Sequence, residues 1–196
     1  MKIVIKAILR GIARLCIIPC WMIYILFGMF SQKDKVFFGF SQLFSLLPGT
    51  VGIYLRREFY RMTLCKCSND CNISFGVLIG HKNTEINESV YIGSRSTLGT
   101  VCLEKNVLIG SDVNITSGTR QHSFERIDVP IKDQHGNYEK VTVGEDSWIG
   151  NNATILANIG KKCIVGAGSV VVDEVEKLSI VAGNPAKVIK KRDEDY

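Results

Sequence analysis

Between Ile73 and Ala182, aliphatic residues return every six positions, and no other property of the chain limits its fold as tightly. The series runs Ile86, Ile92, Leu98; Leu103, Ile109, Ile115; Val143, Ile149, Ile155; and Ile159, Val165, Val171, mostly with Gly next in line. Four positions after the aliphatic residue a small or β-branched one returns: Val90, Ser96, Cys102, Val107, Val113, Ser147, Ala153, Cys163, Ser169. Six residues are too few for a helix–turn–helix repeat, and simple alternation would not hold Gly at a fixed phase. The pattern predicts a short strand and a turn per hexapeptide, the aliphatic side chain inward and Gly at the corner. Three faces close one triangular coil, and the span holds about five coils. Two short steps, Leu98 to Leu103 and Ile155 to Ile159, are corners with residues removed.

The repeat stops between Ile115 and Val143, where a polar insertion carries Thr119, Arg120, Gln121, His122, Ser123, Phe124, Pro130, His135 and Gly136. An irregular excursion from a rigid solenoid is where function is usually placed, and residues 116–142 are expected to form a catalytic loop. Beyond the coils, Asn184 as N-cap and Pro185 at the first helical position predict a short basic helix over the solenoid end.

The formal charge of +5 averages two unlike regions. Residues 1–66 hold ten Lys/Arg against Asp34 and Glu58, a net +8, and residues 67–196 carry −3. Uncharged runs extend from Leu15 to Gln32 and from Val36 to Leu55, interrupted by Pro19, Gly28, Pro48 and several other breakers. Lys2, Lys6, Arg10 and Arg14 recur at helical spacing, the pattern of a basic amphipathic helix at an anionic membrane surface, worth roughly 1 kcal/mol per cation. Arg56, Arg57 and Arg61 could stand on the same headgroup layer. Spanning helices, and apolar helices packed on the protein itself, are the other readings. Ser31, Gln32 and Lys33 follow the first run in place of a small-residue cleavage site, so secretion is not expected. The cations alternate with apolar runs instead of stacking aromatics, which argues against nucleic acid.

With these segments in view, the chain resembles the hexapeptide-repeat acyltransferases. It is most similar in pattern to the maltose, galactoside and xenobiotic O-acetyltransferase group and to transferases of bacterial polysaccharide gene clusters. The resemblance covers residues 73–192 and is carried by "VTVGEDSWIGNNATIL", "IVGAGSVVV" and "IVAGNPAKVIKKR". It implies a left-handed parallel β-helix, a homotrimer, acetyl-CoA along the groove between coils, and an active site shared by two subunits. By position it implies that His122 is the catalytic base, that Asn114 binds the acceptor and that Trp148 lines the cleft. Asn151 and the Gly166-Ala167-Gly168 turn would approach the pantetheine, and Lys187 and Lys190 the CoA phosphates. One departure stands out: Val172-Asp173 replaces the family's Thr-Lys, which shifts phosphate binding toward Lys190, Lys191 or Arg192.

Acetyl transfer from a thioester to a hydroxyl needs a base, an oxyanion donor and two aligned substrates, and no metal. Cys65, Cys67 and Cys71 lack a fourth ligand at a zinc spacing. His81, His122 and His135 share no repeat phase, unlike the three metal-binding histidines of the γ-type carbonic anhydrases. Seven cysteines without a leader point to a reducing compartment, with Cys102 and Cys163 in the core. The sequence thus predicts an O-acetyltransferase for cell-surface polysaccharide, with a glycan or lipid-linked glycan acceptor, on the cytoplasmic side of the cell membrane through residues 1–55. A soluble sugar, amino-sugar or antibiotic acceptor, and a non-enzymatic binding solenoid, are the alternatives.

Overall fold

The computed structural model describes residues 2–195. Three helices, α1 (Lys2–Phe30), α2 (Lys33–Ser45) and α3 (Gly49–Thr63), precede a three-faced parallel solenoid of about six turns. The first face stacks Lys66–Cys67, Glu85–Ile86, Val101–Leu103 and Val141–Val143 in parallel, and bridges at Ile159 and Val175 continue it. The second face stacks Asn72–Ile73, Tyr91–Ile92, Leu108–Ile109, Trp148–Ile149, Ile164–Val165 and Ser179–Gly183. The third stacks Leu78–Ile79, Thr97–Leu98, Asn114–Ile115, Thr154–Ile155 and Val170–Val171.

Every aliphatic residue of the six-residue series is buried. The small positions Ser96, Ser147 and Ser169 are buried too, and their hydroxyls bond backbone of the adjoining coil, as Ser147 Oγ does with Gly160 O (2.8 Å) and Cys163 N (2.9 Å). The corners between the first two faces turn through left-handed residues at Ser89, Asn106, Asp146, Lys162 and Leu178. Cys163 lies in the core as expected, but Cys102 does not. After the five-residue step, Val101 and Leu103 both point inward, so Cys102 between them faces outward.

Within the solenoid, N–H groups aimed at the next coil are met there mostly by carbonyls, for example Ser74 N to Ile92 O (3.0 Å), and at Thr100, Ser111 and Thr142 by side-chain oxygens. The first coil therefore presents an unpaired edge away from its neighbours, which an isolated sheet would leave open. Helices α2 and α3 close it. Gly76 N donates to Ser45 O (2.9 Å) and Ile79 N to Ser41 Oγ (2.9 Å), while Arg56 Nε donates to Ile73 O (3.0 Å) and Arg57 Nη1 to Cys71 O (3.4 Å). Phe37, Phe44, Phe59 and Tyr60 fill the space between helices and coil. This corrects two expectations. Arg56 and Arg57 are buried backbone donors, Arg61 pairs with the buried Glu58 (2.9 Å), and none stands on a headgroup layer through a free side chain. Residues 36–55 form no single apolar span, because α2 ends at Ser45 and α3 begins at Gly49; Phe37 and Phe44 are buried there, while Leu43, Leu46 and Val51 stay exposed.

Helix α1 lies along α3 and α2 and buries only a stripe of Ala13, Ile17 and Tyr24, flanked by Cys20 and Trp21. Its remaining surface exposes Ile5, Ile8, Leu9, Ile12, Leu15, Met22, Ile23, Leu26, Phe27, Met29 and Phe30. By length and composition Val4–Phe30 could cross a membrane, with mean hydropathy 1.9 and 17% of its 18-residue apolar window buried.

At the other end the predicted basic helix is replaced by a strand. The chain turns at Gly183 (φ +105°) and a cis Asn184-Pro185 bond, and Ala186–Lys191 returns antiparallel to Ser179–Gly183. The exposed edge of the last coil offers backbone partners along its length, which a short helix resting on it would leave unmet. A 3-10 turn, Arg192–Asp195, follows.

Candidate active site

The excursion leaves the third face after Asn114–Ile115 and rejoins the first at Val141. Its two limbs are tied by Ser123 N to His135 O (3.0 Å), Asn137 N to Arg120 O (2.7 Å) and Glu139 N to Ser117 O (3.0 Å). Gly136 permits the close approach: a Cβ there would lie 1.7 Å from Gln121 O. Lys140 Nζ anchors the returning limb to Glu85 Oε1 (2.6 Å), and that hydrogen bond raises the ammonium pKa above its ordinary value. His122 is exposed at the near end of this two-limbed loop. Asn114, on the third face, is exposed between Thr97 and Thr154 at the loop's root. Asn114 and His122 are thus attached to the same coil.

Asn151 and the Gly166-Ala167-Gly168 turn lie one above the other at the corner between the second and third faces. Gly168 N donates to Asn151 O (2.8 Å), and the Asn151 side chain accepts from Ser111 N (2.9 Å) one coil below. Among the described residues the Asn151 and Ala167 N–H groups make no hydrogen bond, and both residues are exposed. The two residues stand one coil apart, a rise of about 4.8 Å, and leave two backbone donors uncommitted at this corner. Gly150 holds this corner tight, since a Cβ on it would sit 2.5 Å from Ala167 N.

Trp148 stands on the second face, 49% exposed, in register with Leu108 below and Ile164 above. With Tyr91 and Leu108, at 40% and 43%, it makes an outward apolar ladder, whereas the third face shows Thr97, Asn114 and Thr154. Within one chain Trp148 and Asn114 therefore lie on different faces.

Lys187 and Lys190 are on the terminal strand, opposite Ala182 and Ile180. Ala182 packs over Gly166, which brings Lys187 to the amide corner. Lys187 also borders a cavity of about 410 Å³ with Asp173, Glu174 and Glu176. Lys191 pairs with Glu176 (2.9 Å), and Arg192 donates to Lys162 O (2.9 Å) on another corner. No group of His, Cys, Asp and Glu able to hold a metal occurs among the described residues. Sequence reasoning missed Tyr138, whose ring lies 5.6 Å from that of His81 and leans the loop against the first coil. Their separation in sequence gave no signal of it.

Residues 140–172 match the family model described as the hexapeptide repeat of succinyl-transferase. A protein of Escherichia coli K12 named as a lipopolysaccharide biosynthesis O-acetyl transferase, WbbJ, is 30% identical over 168 residues, covering 71% of this chain and 84% of that protein. The chain belongs to the hexapeptide-repeat acyltransferases. The fold agrees with solved structures of the family. A maltose O-acetyltransferase from Clostridium difficile 630 superposes with a TM-score of 0.66 at 21% identity, over 81% of this chain and 86% of that one. A galactoside acetyltransferase solved in complex with coenzyme A gives 0.55 at 16% identity, over 83% of each chain.

Proposed function

We propose that this protein transfers acetyl from acetyl-CoA to a hydroxyl of a sugar during cell-surface polysaccharide assembly, working as a homotrimer on the cytoplasmic face of the cell membrane. The observation that carries the reading is the join of a family solenoid to α1, whose outer surface is apolar from Leu15 to Phe30. Because α1 packs lengthwise on α2 and α3, the reading lays it flat in the interface, its apolar side among acyl chains and its N-terminal cations near headgroups. A lipid-linked acceptor is confined to that surface as well. The kinship with WbbJ supports the polysaccharide role, and the CoA held by the galactoside acetyltransferase supports the donor.

In this mechanism His122, as a neutral imidazole, takes the proton of the acceptor hydroxyl while the oxygen attacks the acetyl carbon. The new C–O bond forms, the C–S bond breaks, and the imidazolium returns the proton to the departing CoA thiolate. Asn114 orients the acceptor, the Asn151 and Ala167 amides hold the pantetheine, and Lys187 and Lys190 meet the phosphates. A second and a third copy cover the Tyr91, Leu108 and Trp148 ladder and bring one subunit's amide corner to another's His122.

The test is CoA release from acetyl-CoA with lipid-linked glycan and with soluble sugars. Turnover is expected with the first, with kcat/KM reduced about 10² to 10⁴-fold in His122→Ala at unchanged Tm. Retention within threefold would overturn the base assignment, and no CoA release with any hydroxyl acceptor would overturn the reaction. Leu26→Glu/Phe30→Glu on the outer face of α1 should abolish vesicle binding and turnover of the lipid-linked acceptor only. Equal losses on soluble sugars would refute the membrane role.

A further inference from the structure

Two cavities adjoin where the helical cap meets the first coil, and neither belongs to the site described above. One, about 470 Å³, is bounded by Tyr24, Ile25, Gly28 and Met29 of α1 together with Lys33 and Lys82. The other, about 480 Å³, shares Lys82 and is bounded by His81, Asn83, Thr63, Asp34 and Tyr138, with Cys65 and Thr100. The first opens beside the apolar outer surface of α1, where Ile25 and Met29 are exposed. The second ends at Tyr138, in the returning limb of the His122 loop.

Lys33 and Lys82 are exposed, and among the described residues their ammonium groups make no hydrogen bond or ion pair; Lys82 is held through its carbonyl, which accepts from Cys65 N (2.8 Å). Two long cations facing one space repel each other unless something anionic lies between them. The only carboxylate lining these two cavities, Asp34, leaves one positive charge in excess. Thr63, Asn83 and Tyr138 add neutral hydrogen-bonding groups. An apolar mouth at the α1 surface, then two lysines, then polar walls running toward the loop is an order that matches one kind of ligand.

We propose that these paired cavities bind a phosphate or diphosphate ester carried on a lipid. Its first lipid carbons lie against Ile25 and Met29, its phosphate oxygens between Lys33 and Lys82, and its polar substituent runs past His81 and Tyr138 toward the loop. The inference rests on the membrane-surface reading of α1 given above. The ester is either that of bulk anionic phospholipid or that of the acceptor's own carrier.

Full-length protein in neutral detergent would be titrated calorimetrically with farnesyl diphosphate and with inorganic diphosphate. Its binding to phosphatidylcholine vesicles with and without phosphatidylglycerol would be measured in parallel. Saturable farnesyl diphosphate binding is expected, about thirtyfold weaker in Lys33→Ala/Lys82→Ala, from roughly 1 kcal/mol per cation at 1.4 kcal/mol per decade. Lys105→Ala should bind as wild type, and Tm should be unchanged in both variants. Inorganic diphosphate binding as tightly as the lipid ester would overturn the lipid part, and an unaffected double variant would overturn the site. If the double variant also loses preference for phosphatidylglycerol, the ester is bulk phospholipid. If it keeps that preference while losing farnesyl diphosphate, the ester belongs to the carrier. Wild type that binds farnesyl diphosphate but no vesicle would sink the membrane reading and leave the site standing. Vesicle binding without farnesyl diphosphate binding would do the reverse.

Discussion

Replacing Arg56 by Met should detach the helical cap from the solenoid. The guanidinium is fully buried and donates to Ile73 O at 3.0 Å, Phe44 O at 2.8 Å and Leu47 O at 3.1 Å. It thus ties the edge of the first coil to the C-terminal end of α2. Burial lowers its pKa from the ordinary value, with Tyr60 acting in the opposite sense, so part of what the bonds contribute is already offset by desolvation. Phe44 O keeps a partner in Leu47 N (3.3 Å), but Ile73 O and Leu47 O lose the donor that Arg56 supplies, at about 1–3 kcal/mol each. Met fills most of the stem volume but has no donor. The net loss is expected at about 3–5 kcal/mol, which for a chain of this size lowers Tm by roughly 10 °C. Thermal unfolding of the full chain in neutral detergent, followed at the helical dichroism band, measures it. Arg56→Lys should recover less than half, since a single ammonium cannot span three carbonyls. Arg56→Met melting within 2 °C of wild type would refute the reasoning.

Gly150→Ala should destabilise by about 1–3 kcal/mol, and it should weaken CoA binding more than Tm alone explains, because the new Cβ meets the Ala167 amide at 2.5 Å. Melting with and without saturating CoA separates the two effects. Trp148→Glu places a charge in the outward apolar ladder and should convert the proposed trimer to monomer in light scattering, whereas an unchanged mass would refute that interface. Lys140 has a pKa raised chiefly by its hydrogen bond to Glu85, so its contribution is complete below the unfolded value and is lost as pH climbs through the raised one. The difference in Tm between wild type and Lys140→Met should therefore be constant from pH 7 to 9 and shrink above about 10.5. A difference independent of pH would place the effect elsewhere.

The solenoid was legible because its period is local: from Ile86 to Val171 each inward residue announces itself six positions after the last. Contacts between residues distant in sequence left no such trace. Arg56 and Arg57 read as surface cations because their partners are carbonyls of α2 and the first coil, which no spacing rule connects to them. Cys102 was assigned by phase across a five-residue step, and one missing residue reverses which side of a strand faces inward. The C-terminal segment carries good helix-start residues, yet local propensity was weaker than the free edge of the Ser179–Gly183 strand. At the candidate site, the resemblance named Asn151 and Ala167, but only coordinates show that their amides lie above one another and carry no internal bond.

The stacking of this molecule gives it a unit of length. Helices α2 and α3 clamp one end, the His122 loop leaves from the third coil, and each coil adds about 4.8 Å along the axis. Reach from the helical layer can therefore change only in whole steps, because a partial coil would turn the inward residues out. Inserting or removing one complete coil below Asn114 would raise or lower the loop by one such step while every edge stays paired. A chain built this way can be retuned to a longer or shorter acceptor by copying a segment, without redesigning the chemistry at its tip.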